Sequence, residues 1–457
     1  MNDTICALAT ASGGALGIIR VSGPQAVEIV NQIASADVNT FSPKLATYTH
    51  VVDKYANFEK DKKSSYIVDE VMITVFRAPH SYTGEDSVEI SCHGSRYILN
   101  KVLKLLVQNG CRMAGPGEFT QRAYLNGKMD LSQAEAVADL IASTNRASHQ
   151  LAISQLRGGF SSELARLREQ LLKLTSLLEL ELDFSDHEDL EFADRSELLS
   201  IANKINNHIT RLAHSFETGQ AIKQGIPVAI VGKTNVGKST LLNRLLHDDR
   251  AIVSDVHGTT RDTIEDTIDL QGITFRFIDT AGIRQTTDQV EKIGIERTFS
   301  TIDKARIVLW VIDEEPSTKE FNDIKQRSEN KKLIIVQNKI DKAEFTPLTT
   351  VNFPLITISA KQGTNISQLE QAIYEAADIP ALSDSDVIVT NARHYDALIR
   401  ANEAILRVID GLQQQLSGDL LSEDLRQALD ILSEIIGGQI TPNEVLGNIF
   451  KNFCVGK

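Results

Sequence analysis

Eight residues, Gly232 to Ser239, have the pattern of a loop that binds phosphate groups. The loop reads Gly-Lys-Thr-Asn-Val-Gly-Lys-Ser, and its two glycines allow backbone N–H groups to turn toward a phosphate. Lys238 provides a positive charge for the β- and γ-phosphates, and the hydroxyl of Ser239 is a ligand for Mg²⁺. The run before the loop, Ile226 to Val231, is apolar as in a buried strand, and Thr240 to Leu246 after it is apolar at helical spacing. Strand, glycine loop and helix in this order predict nucleotide binding at the helix N-terminus.

Three further patterns of a strand followed by a loop lie downstream, and each suits one part of a guanine nucleotide. Asp279 to Gly282 places an acid where it can hold Mg²⁺ through water, and Gly282 offers a backbone N–H to a γ-phosphate. Asn338 to Asp341 reads the base, because the carboxylate of Asp341 accepts two N–H bonds that guanine offers and adenine does not. Ser359 to Lys361 forms the loop behind the base. Four motifs in this order predict a guanine-nucleotide-binding domain.

Helical patterns flank this domain on both sides. Residues 117–226 contain no proline, and leucines between 164 and 182 recur at helical spacing, which predicts long antiparallel helices. Helices are also predicted over 392–415, over 422–436 up to a Gly-Gly pair, and from Thr441, where a capping box begins. The nucleotide domain is therefore predicted to be inserted into a helical domain.

The first 125 residues mix short strands and helices, as in an α+β domain. Alternating apolar residues predict strands over 17–23, 71–76 and 87–92. Helices are predicted over 24–34, with proline in the first turn, and over 98–109.

Composition limits the class of protein. The 457 residues are expected to form two to four domains, and the net charge of −14 argues against a broad basic surface for nucleic acid. The four cysteines contain no C-x-x-C pair and are interpreted as free thiols in a reducing compartment: Cys6, Cys92, Cys111 and Cys454. The acidic run after residue 183 is interpreted as a turn between helices in preference to a metal site. Without a signal peptide or a long apolar run, a cytoplasmic protein is expected.

Motifs outside the nucleotide pattern identify a family resemblance. They are Thr83–Asp86, Pro116–Phe119, Leu125–Asp130, Gly258–Asp262 and the C-terminal Cys454–Lys457. With these motifs the chain resembles, from end to end, the bacterial MnmE (TrmE) family of tRNA modification GTPases. The family usually ends Cys-Ile-Gly-Lys, and the valine in this chain is a departure of one carbon.

The resemblance implies a fold with three parts. An α/β P-loop G domain is inserted into an all-α helical domain, and an α+β folate-binding-like N-terminal domain precedes both. The expected ranges are 1–125 for the N-terminal domain, 126–224 and 379–457 for the two parts of the helical domain, and 225–378 for the G domain.

The resemblance also implies partners and cofactors. With the FAD protein MnmG, the family adds a carboxymethylaminomethyl or aminomethyl group at C5 of the wobble uridine of certain tRNAs. The expected cofactors are GTP, Mg²⁺, K⁺ and a tetrahydrofolate derivative (5-formyl or 5,10-methylene). The N-terminal domain is expected to form a homodimer with its copy.

The resemblance implies nucleotide and cation contacts in three places. They are the phosphate loop, a switch segment that comprises Ser254 to Thr260, and the loops that read and back the base. The GTP contacts are Asn235, Val236, Gly237, Lys238, Ser239, Thr240, Ser254, Asp255, Val256, His257, Gly258, Thr259, Thr260, Asp279, Thr280, Ala281, Gly282, Asn338, Lys339, Asp341, Ser359, Ala360 and Lys361. Ser239 and Thr260 are the expected Mg²⁺ ligands. The K⁺ ligands are the Asn235 side chain and the backbone carbonyls of Ser254, Val256 and Thr259.

Hydrolysis needs a group that positions the attacking water. In Ras-type GTPases this is a glutamine after the Asp-x-x-Gly motif, but Ile283 occupies that position here. The family pattern assigns the role to Glu291, with a surface charge as the alternative. A K⁺ ion held by Asn235 would neutralise charge in the transition state as an arginine does, and Arg261 or Arg284 is the alternative. The expected catalytic set is Glu291, Lys238, Thr260 and Asn235.

Folate binding is implied by the resemblance alone. It assigns Arg20, Glu89 and Lys128 to the folate, with Lys457 reaching the same pocket. A carboxylate suits the edge of a pterin, and cations suit the glutamate tail. Cys454 is either a thiol near the one-carbon chemistry or a small buried hydrophobe that anchors the tail.

Two other functions remain possible at this stage. One is a GTP-regulated assembly switch without modification chemistry, and the other is a folate-dependent methyltransferase with a regulatory GTPase. The C-terminal motif and the folate-type residues argue against the switch. The methyltransferase would need a nucleophile constellation, and the sequence has none that we recognise.

Overall fold

The computed structural model describes residues 3–11, 13–54, 66–183, 195–248, 266–278, 299–342, 353–380, 386–438, 446, 449–451, 453–454 and 456. The chain divides into two compact units. The first consists of Met1–Ile141, Gln155–Asn206 and Arg400–Lys457, and the second of Ala142–Ser154 and Asn207–Ile399.

The first unit begins with a mixed sheet whose six described strands are ordered β3-β4-β5-β2-β1-β6. The strands are β1 (Ile5–Leu8), β2 (Leu16–Ser22), β3 (Ala46–Asp53), β4 (Tyr66–Phe76), β5 (Ser87–His93) and β6 (Arg112–Met113). Helices α1 (Ala26–Ile33) and α2 (Arg96–Gln108) cover one face. Alternate residues such as Ile73 and Ile90 are fully buried there, as the period-two pattern predicts. The predicted strands and helices are confirmed, and β4 begins five residues earlier than expected.

In the described part of the chain, five helices follow this sheet and precede the phosphate loop in sequence. They are α3 (Glu118–Leu125), α4 (Leu131–Ala142), α5 (Arg146–Leu156), α6 (Gly159–Asp183) and α7 (Arg195–Gln224). The predicted leucine stripe is buried in α6, where Leu167, Leu171, Leu174 and Leu178 are each 0% exposed. Residues 184–194 of the acidic run lie outside the described part of the chain.

The second unit contains a sheet of six described strands in the order β12-β11-β10-β7-β9-β8. The strands are β7 (Ile226–Val231), β8 (Asp266–Leu270), β9 (Ile273–Phe277), β10 (Ile307–Ile312), β11 (Lys332–Gln337) and β12 (Leu355–Thr357). All neighbours are parallel except the β8–β9 hairpin. Three described helices alternate in sequence with these strands: α8 (Lys238–Asp248), α9 (Thr318–Arg327) and α10 (Ile366–Ala376). Because β7, β10, β11 and β12 are parallel, the loops at their carboxyl ends meet at one edge.

Two further helices, α11 (Ala392–Gln413) and α12 (Gly418–Ile436), follow the second sheet. Helix α12 ends at Gly437, as predicted, with φ of 79°. A Cβ there would lie 2.2 Å from the Tyr124 hydroxyl, so only glycine fits. The start of the helix predicted from Thr441 lies outside the described residues, but Leu446 and Phe450 pack against Leu131 and the adjacent apolar side chains of α4. None of the described helices is both long and apolar enough to cross a membrane.

Candidate active site

The loop between β7 and α8 needs glycine at two positions. Gly232 has φ of 147°, and a Cβ there would lie 2.1 Å from the carbonyl oxygen of Val311. Gly237 has φ of 100°, and a Cβ there would lie 2.2 Å from Nδ2 of Asn338. Both contacts are far inside van der Waals distance, so the loop can follow this path beside the strand ends only without side chains. The result is a cradle lined by backbone.

Lys238 is the first residue of α8 and points back into the loop. Its Nζ donates hydrogen bonds to the carbonyl oxygens of Gly232 (2.7 Å) and Lys233 (2.5 Å). Burial lowers the pKa of this half-buried ammonium group, because desolvation penalises its charge. A partly desolvated cation at a helix N-terminus, inside a backbone cradle, is an arrangement that binds phosphate. The loop therefore fits a nucleotide phosphate chain.

One buried side chain connects the phosphate loop to the loop behind the base. Asn338 Nδ2 donates to the carbonyl oxygen of Val236 (2.8 Å), and its Oδ1 accepts from the N–H of Ala360 (3.0 Å). Asn338 is 3% exposed, so both bonds are shielded from water. The predicted residues of the phosphate loop, the Asn-Lys-x-Asp motif and the Ser-Ala-Lys loop are thus brought together.

The base-reading carboxylate of Asp341 is oriented by Ser359. The Ser359 hydroxyl donates to Asp341 Oδ1 at 2.6 Å and accepts from the N–H of Gln362 at 3.1 Å. The hydrogen bond from Ser359 lowers the pKa of the exposed Asp341 carboxyl group. The group is therefore a charged acceptor at neutral pH, as recognition of guanine N–H groups requires.

Arg244, which the sequence analysis missed, supports the same loop from α8. Its guanidinium donates to the carbonyl oxygens of Lys361 (3.0 Å) and Ala360 (3.4 Å). In sequence this residue is one more charge on an amphipathic helix, and only the fold brings it into contact with the loop behind the base.

Acids that follow β10 form a second feature that the sequence analysis missed. Asp313 Oδ2 accepts from Lys339 Nζ at 2.5 Å. Glu314 lies 3.4 Å and Glu320 3.2 Å from Nζ of Lys233, and the hydrogen bond to Glu320 raises the pKa of Lys233. The sequence did contain a signal for Asp313: it is an acid directly after a fully buried strand. Such residues lie at the edge of a parallel sheet where ligands bind.

Several predicted residues lie outside the part of the chain that the structure describes. They are Ser254, Asp255, Val256, His257, Gly258, Thr259, Thr260, Asp279, Thr280, Ala281, Gly282, Glu291 and Lys457, together with Ile283, Arg261 and Arg284. The described members of the predicted cation ligands are Ser239 on the first turn of α8 and the exposed Asn235. Within the described residues, no three His, Cys, Asp or Glu side chains form a metal cluster.

The first unit contains a cluster of charged and aromatic groups around Arg20. Its guanidinium pairs with Glu89 at 2.8 Å across neighbouring strands β2 and β5. The guanidinium carbon lies 5.5 Å from the ring of Tyr82 and 5.8 Å from that of Phe119. Nη1 also donates to the carbonyl oxygen of Gly456 at 3.4 Å, so the C-terminal tail reaches this place.

Lys128 and Cys454 border the same region. Lys128 Nζ donates to the carbonyl oxygen of Pro79 (2.9 Å), in the loop that also carries Tyr82. The N–H of Gly117 donates to the Cys454 carbonyl oxygen at 3.3 Å. Because Cys454 itself is exposed, its interpretation as a small buried hydrophobe that anchors the tail is wrong. The contacts of the tail in this region are made by the backbone carbonyls of Cys454 and Gly456. Arginine, lysine, carboxylate and aromatic rings suit a folate, which has an aromatic pterin and a carboxylate tail.

Comparison with known proteins decides the family. A family model described as the MnmE helical domain matches residues 131–454, and one described as the GTP-binding protein TrmE N-terminus matches residues 4–128. The tRNA modification GTPase MnmE of Phocaeicola vulgatus is 55% identical over 100% of this chain and 99% of its own length. The chain belongs to the MnmE family of tRNA modification GTPases. The MnmE proteins of Bacteroides thetaiotaomicron and Flavobacterium johnsoniae are 55% and 50% identical, each over 100% of this chain and 99% of their own.

A solved structure is also similar to part of the chain. The G domain of the T. maritima FeoB iron transporter covers 33% of this chain and 98% of its own, at 22% identity and a TM-score of 0.25.

Membership in the MnmE family confirms the predicted fold class and the enzyme class. The chain has an α/β P-loop G domain inserted in sequence into an all-α helical domain, after an α+β folate-binding-like N-terminal domain. It is a GTP hydrolase that acts in tRNA modification, and tRNA is its substrate.

Proposed function

We propose that this GTPase is stimulated by K⁺ and works with the FAD protein MnmG on the wobble uridine of certain tRNAs. The product is a carboxymethylaminomethyl or aminomethyl group at C5, with a folate bound by the N-terminal domain of a homodimer. The observation that carries the nucleotide part is the paired amide of Asn338, which holds the phosphate loop and the base-reading loop together.

The proposed hydrolytic roles follow from the chemistry of each side chain. Lys238 binds the β- and γ-phosphates, which replace the loop carbonyls as partners of its ammonium group. Ser239 and Thr260 would hold Mg²⁺, and Glu291 would position the water. When bound by these residues and by Asn235, Mg²⁺ and K⁺ would supply positive charge close to the phosphate oxygens.

The K⁺ proposal is supported by the position of Asn235. Its side chain is exposed at the fourth position of the loop, where the backbone has φ of 63°. A neutral amide oxygen suits a weakly charged cation, whereas a carboxylate would favour a harder one. The carbonyls of Ser254, Val256 and Thr259 would complete the set.

The test is the rate of GTP hydrolysis in K⁺ and in Na⁺ at equal ionic strength, for the wild type and for Asn235→Ala. A large K⁺ stimulation that disappears in Asn235→Ala supports the cation site. The matched control is Thr234→Ala, which removes an exposed side chain from the preceding position of the same loop and should keep the stimulation. Equal wild-type rates in both salts would overturn the proposal and direct attention to Arg261 and Arg284.

A second measurement tests the tRNA chemistry. The protein, MnmG, GTP, K⁺ and a methylene- or formyl-tetrahydrofolate are incubated with unmodified tRNA, whose nucleosides are then analysed by mass spectrometry. An added aminomethyl-type group on uridine supports the proposal. GTP hydrolysis without any modified uridine, under conditions in which a relative of known activity modifies the same tRNA, contradicts it.

A further inference from the structure

Two lysines at the phosphate loop are paired with consecutive acids that follow β10. Lys339 Nζ lies 2.5 Å from Asp313 Oδ2 and 2.6 Å from the carbonyl oxygen of Asn235. Lys233 Nζ lies 3.4 Å from the carboxylate of Glu314. The two acids therefore bind different lysines. Of these two lysines, Lys339 is the one that contacts both an acid, Asp313, and the backbone carbonyl of Asn235, the residue proposed to bind K⁺.

The topology of the sheet places Asp313 beside Lys339. Strands β10 and β11 are parallel neighbours with Ile312 opposite Gln337, so Asp313 leaves the sheet next to Asn338 and Lys339. Both members of the Asp313–Lys339 pair are 24% exposed, which limits the alternative positions of the lysine. An ion pair that is partly shielded and hydrogen-bonded orients its side chains more strongly than a fully exposed one.

The carbonyl that Lys339 binds belongs to a residue with an unusual backbone. Asn235 has φ of 63°, in the left-handed region that is uncommon for non-glycine residues and that asparagine tolerates better than most. The hydrogen bond from Lys339 fixes the orientation of the peptide group that follows Asn235. Because side chain and peptide share the same Cα, that bond also limits where the Asn235 amide can point.

We infer that Asp313 is a positioning residue that holds the Lys339 ammonium on the Asn235 carbonyl, and so couples guanine recognition to the monovalent cation. The effect of Asp313 on cation binding rests on the K⁺ site proposed above. Its effect on nucleotide binding rests only on the binding of GTP. Coupling of this kind is reciprocal, so the nucleotide strengthens K⁺ binding by the factor by which K⁺ strengthens nucleotide binding.

Two measurements on the full-length protein test the link. The first is the K⁺ concentration that gives half-maximal GTP hydrolysis, and the second is the Kd for fluorescent GDP measured in Na⁺. For Asp313→Asn we expect both to rise by roughly tenfold, the scale of one hydrogen bond to a charged group, while kcat at saturating K⁺ and GTP is retained.

Glu314→Gln removes an equal charge one residue away, and both values should remain near those of the wild type. Equal effects of the two substitutions, or no change in Kd with Asp313→Asn, would overturn the inference.

A double-mutant cycle separates the link from a simple loss of negative charge near the cation. In a Lys339→Ala background, Asp313→Asn should have no further effect, because the lysine through which it acts is missing. If Asp313→Asn weakened K⁺ and GDP binding as much in the Lys339→Ala background as in the wild type, Asp313 would act through its own negative charge and not through Lys339. That result would contradict the inference. If the wild type does not respond to K⁺, the proposed cation site fails, and the Kd for GDP still decides whether Asp313 positions Lys339. Thermal unfolding of each variant checks that it is folded.

Discussion

The side-chain amide of Asn338 donates to the carbonyl oxygen of Val236 at 2.8 Å, so the base-reading loop is fastened to the phosphate loop by a side chain of the protein itself. The same amide accepts from the loop behind the base. A site organised in this way loses little conformational freedom when the ligand binds.

The first prediction concerns Asn338→Ala. The substitution leaves the carbonyl of Val236 and the N–H of Ala360 without these partners in a buried place, at a cost of about 1–3 kcal/mol each. We expect the affinity for fluorescent GDP to fall by roughly 10- to 100-fold. Gln371→Ala removes an exposed side-chain amide of the same unit and should leave the affinity unchanged. A wild-type affinity for Asn338→Ala would show that the two loops are held together by other contacts.

The second prediction concerns Gly237→Ala. The added Cβ would lie 2.2 Å from Nδ2 of Asn338, and φ of 100° is unfavourable for alanine. The loop must shift, so we expect GDP to no longer raise the melting temperature, as a ligand of the native state otherwise does. Gly438→Ala is the control, because its Cβ would meet its nearest neighbours at 3.6 Å. A normal GDP-induced rise for Gly237→Ala would contradict the requirement for glycine.

The third prediction concerns Arg20→Ala and folate. Loss of the guanidinium that pairs with Glu89 and lies against Tyr82 should weaken binding of 5-formyltetrahydrofolate at least tenfold in calorimetry. Stability should change by no more than about 1 kcal/mol, because the ion pair is partly exposed. Arg77→Ala breaks another ion pair, with Asp86 in the segment between β4 and β5, and should leave folate binding intact. Equal folate affinity for wild type and Arg20→Ala would remove Arg20 from the site.

The fourth prediction is a pH dependence of stability that arises from Glu118. Burial raises the pKa of this carboxyl group, but hydrogen bonds from Arg112, the N–H of Gly115 and Arg122 outweigh burial and lower the pKa below its ordinary value. A lowered folded-state pKa means that the stabilisation is fully present above the unfolded-state pKa of 4.5 and is lost as the pH falls through the folded-state value.

Urea unfolding at pH 7 and at a series of acidic values measures this effect. For Glu118→Gln we expect lower stability at pH 7 and a flatter decline with acid than in the wild type. The exposed Glu28→Gln serves as a control and should follow the wild-type curve. A parallel decline for Glu118→Gln and the wild type would mean that other carboxyl groups cause the acid sensitivity.

The sequence alone determined the class of the fold and the identity of the nucleotide loops. Glycines at 232 and 237, followed by a lysine and a serine, have a pattern that serves few purposes other than phosphate binding. This pattern and its order relative to the later motifs can be read directly along the chain. The leucines of α6 and the apolar residues of the first sheet can also be recognised in the sequence. To bury one face, a helix needs apolar residues about every 3.6 positions and a strand needs them at every second position. The interpretation of Cys454 could not be settled in this way, because exposure depends on what surrounds the tail.

Only the tertiary structure decided which charges act together. Asp313 and Lys339 are 26 residues apart, Arg244 and Lys361 are 117 apart, and Arg20 and Gly456 are 436 apart. Local patterns identify some of these residues, but none identifies their partners, because partners so far apart in sequence are set by the fold. The Asp313–Lys339 pair, for example, follows from the register of β10 against β11. The sequence thus predicts which loops touch the nucleotide, and the packing of the sheet selects the side chains that hold those loops in place.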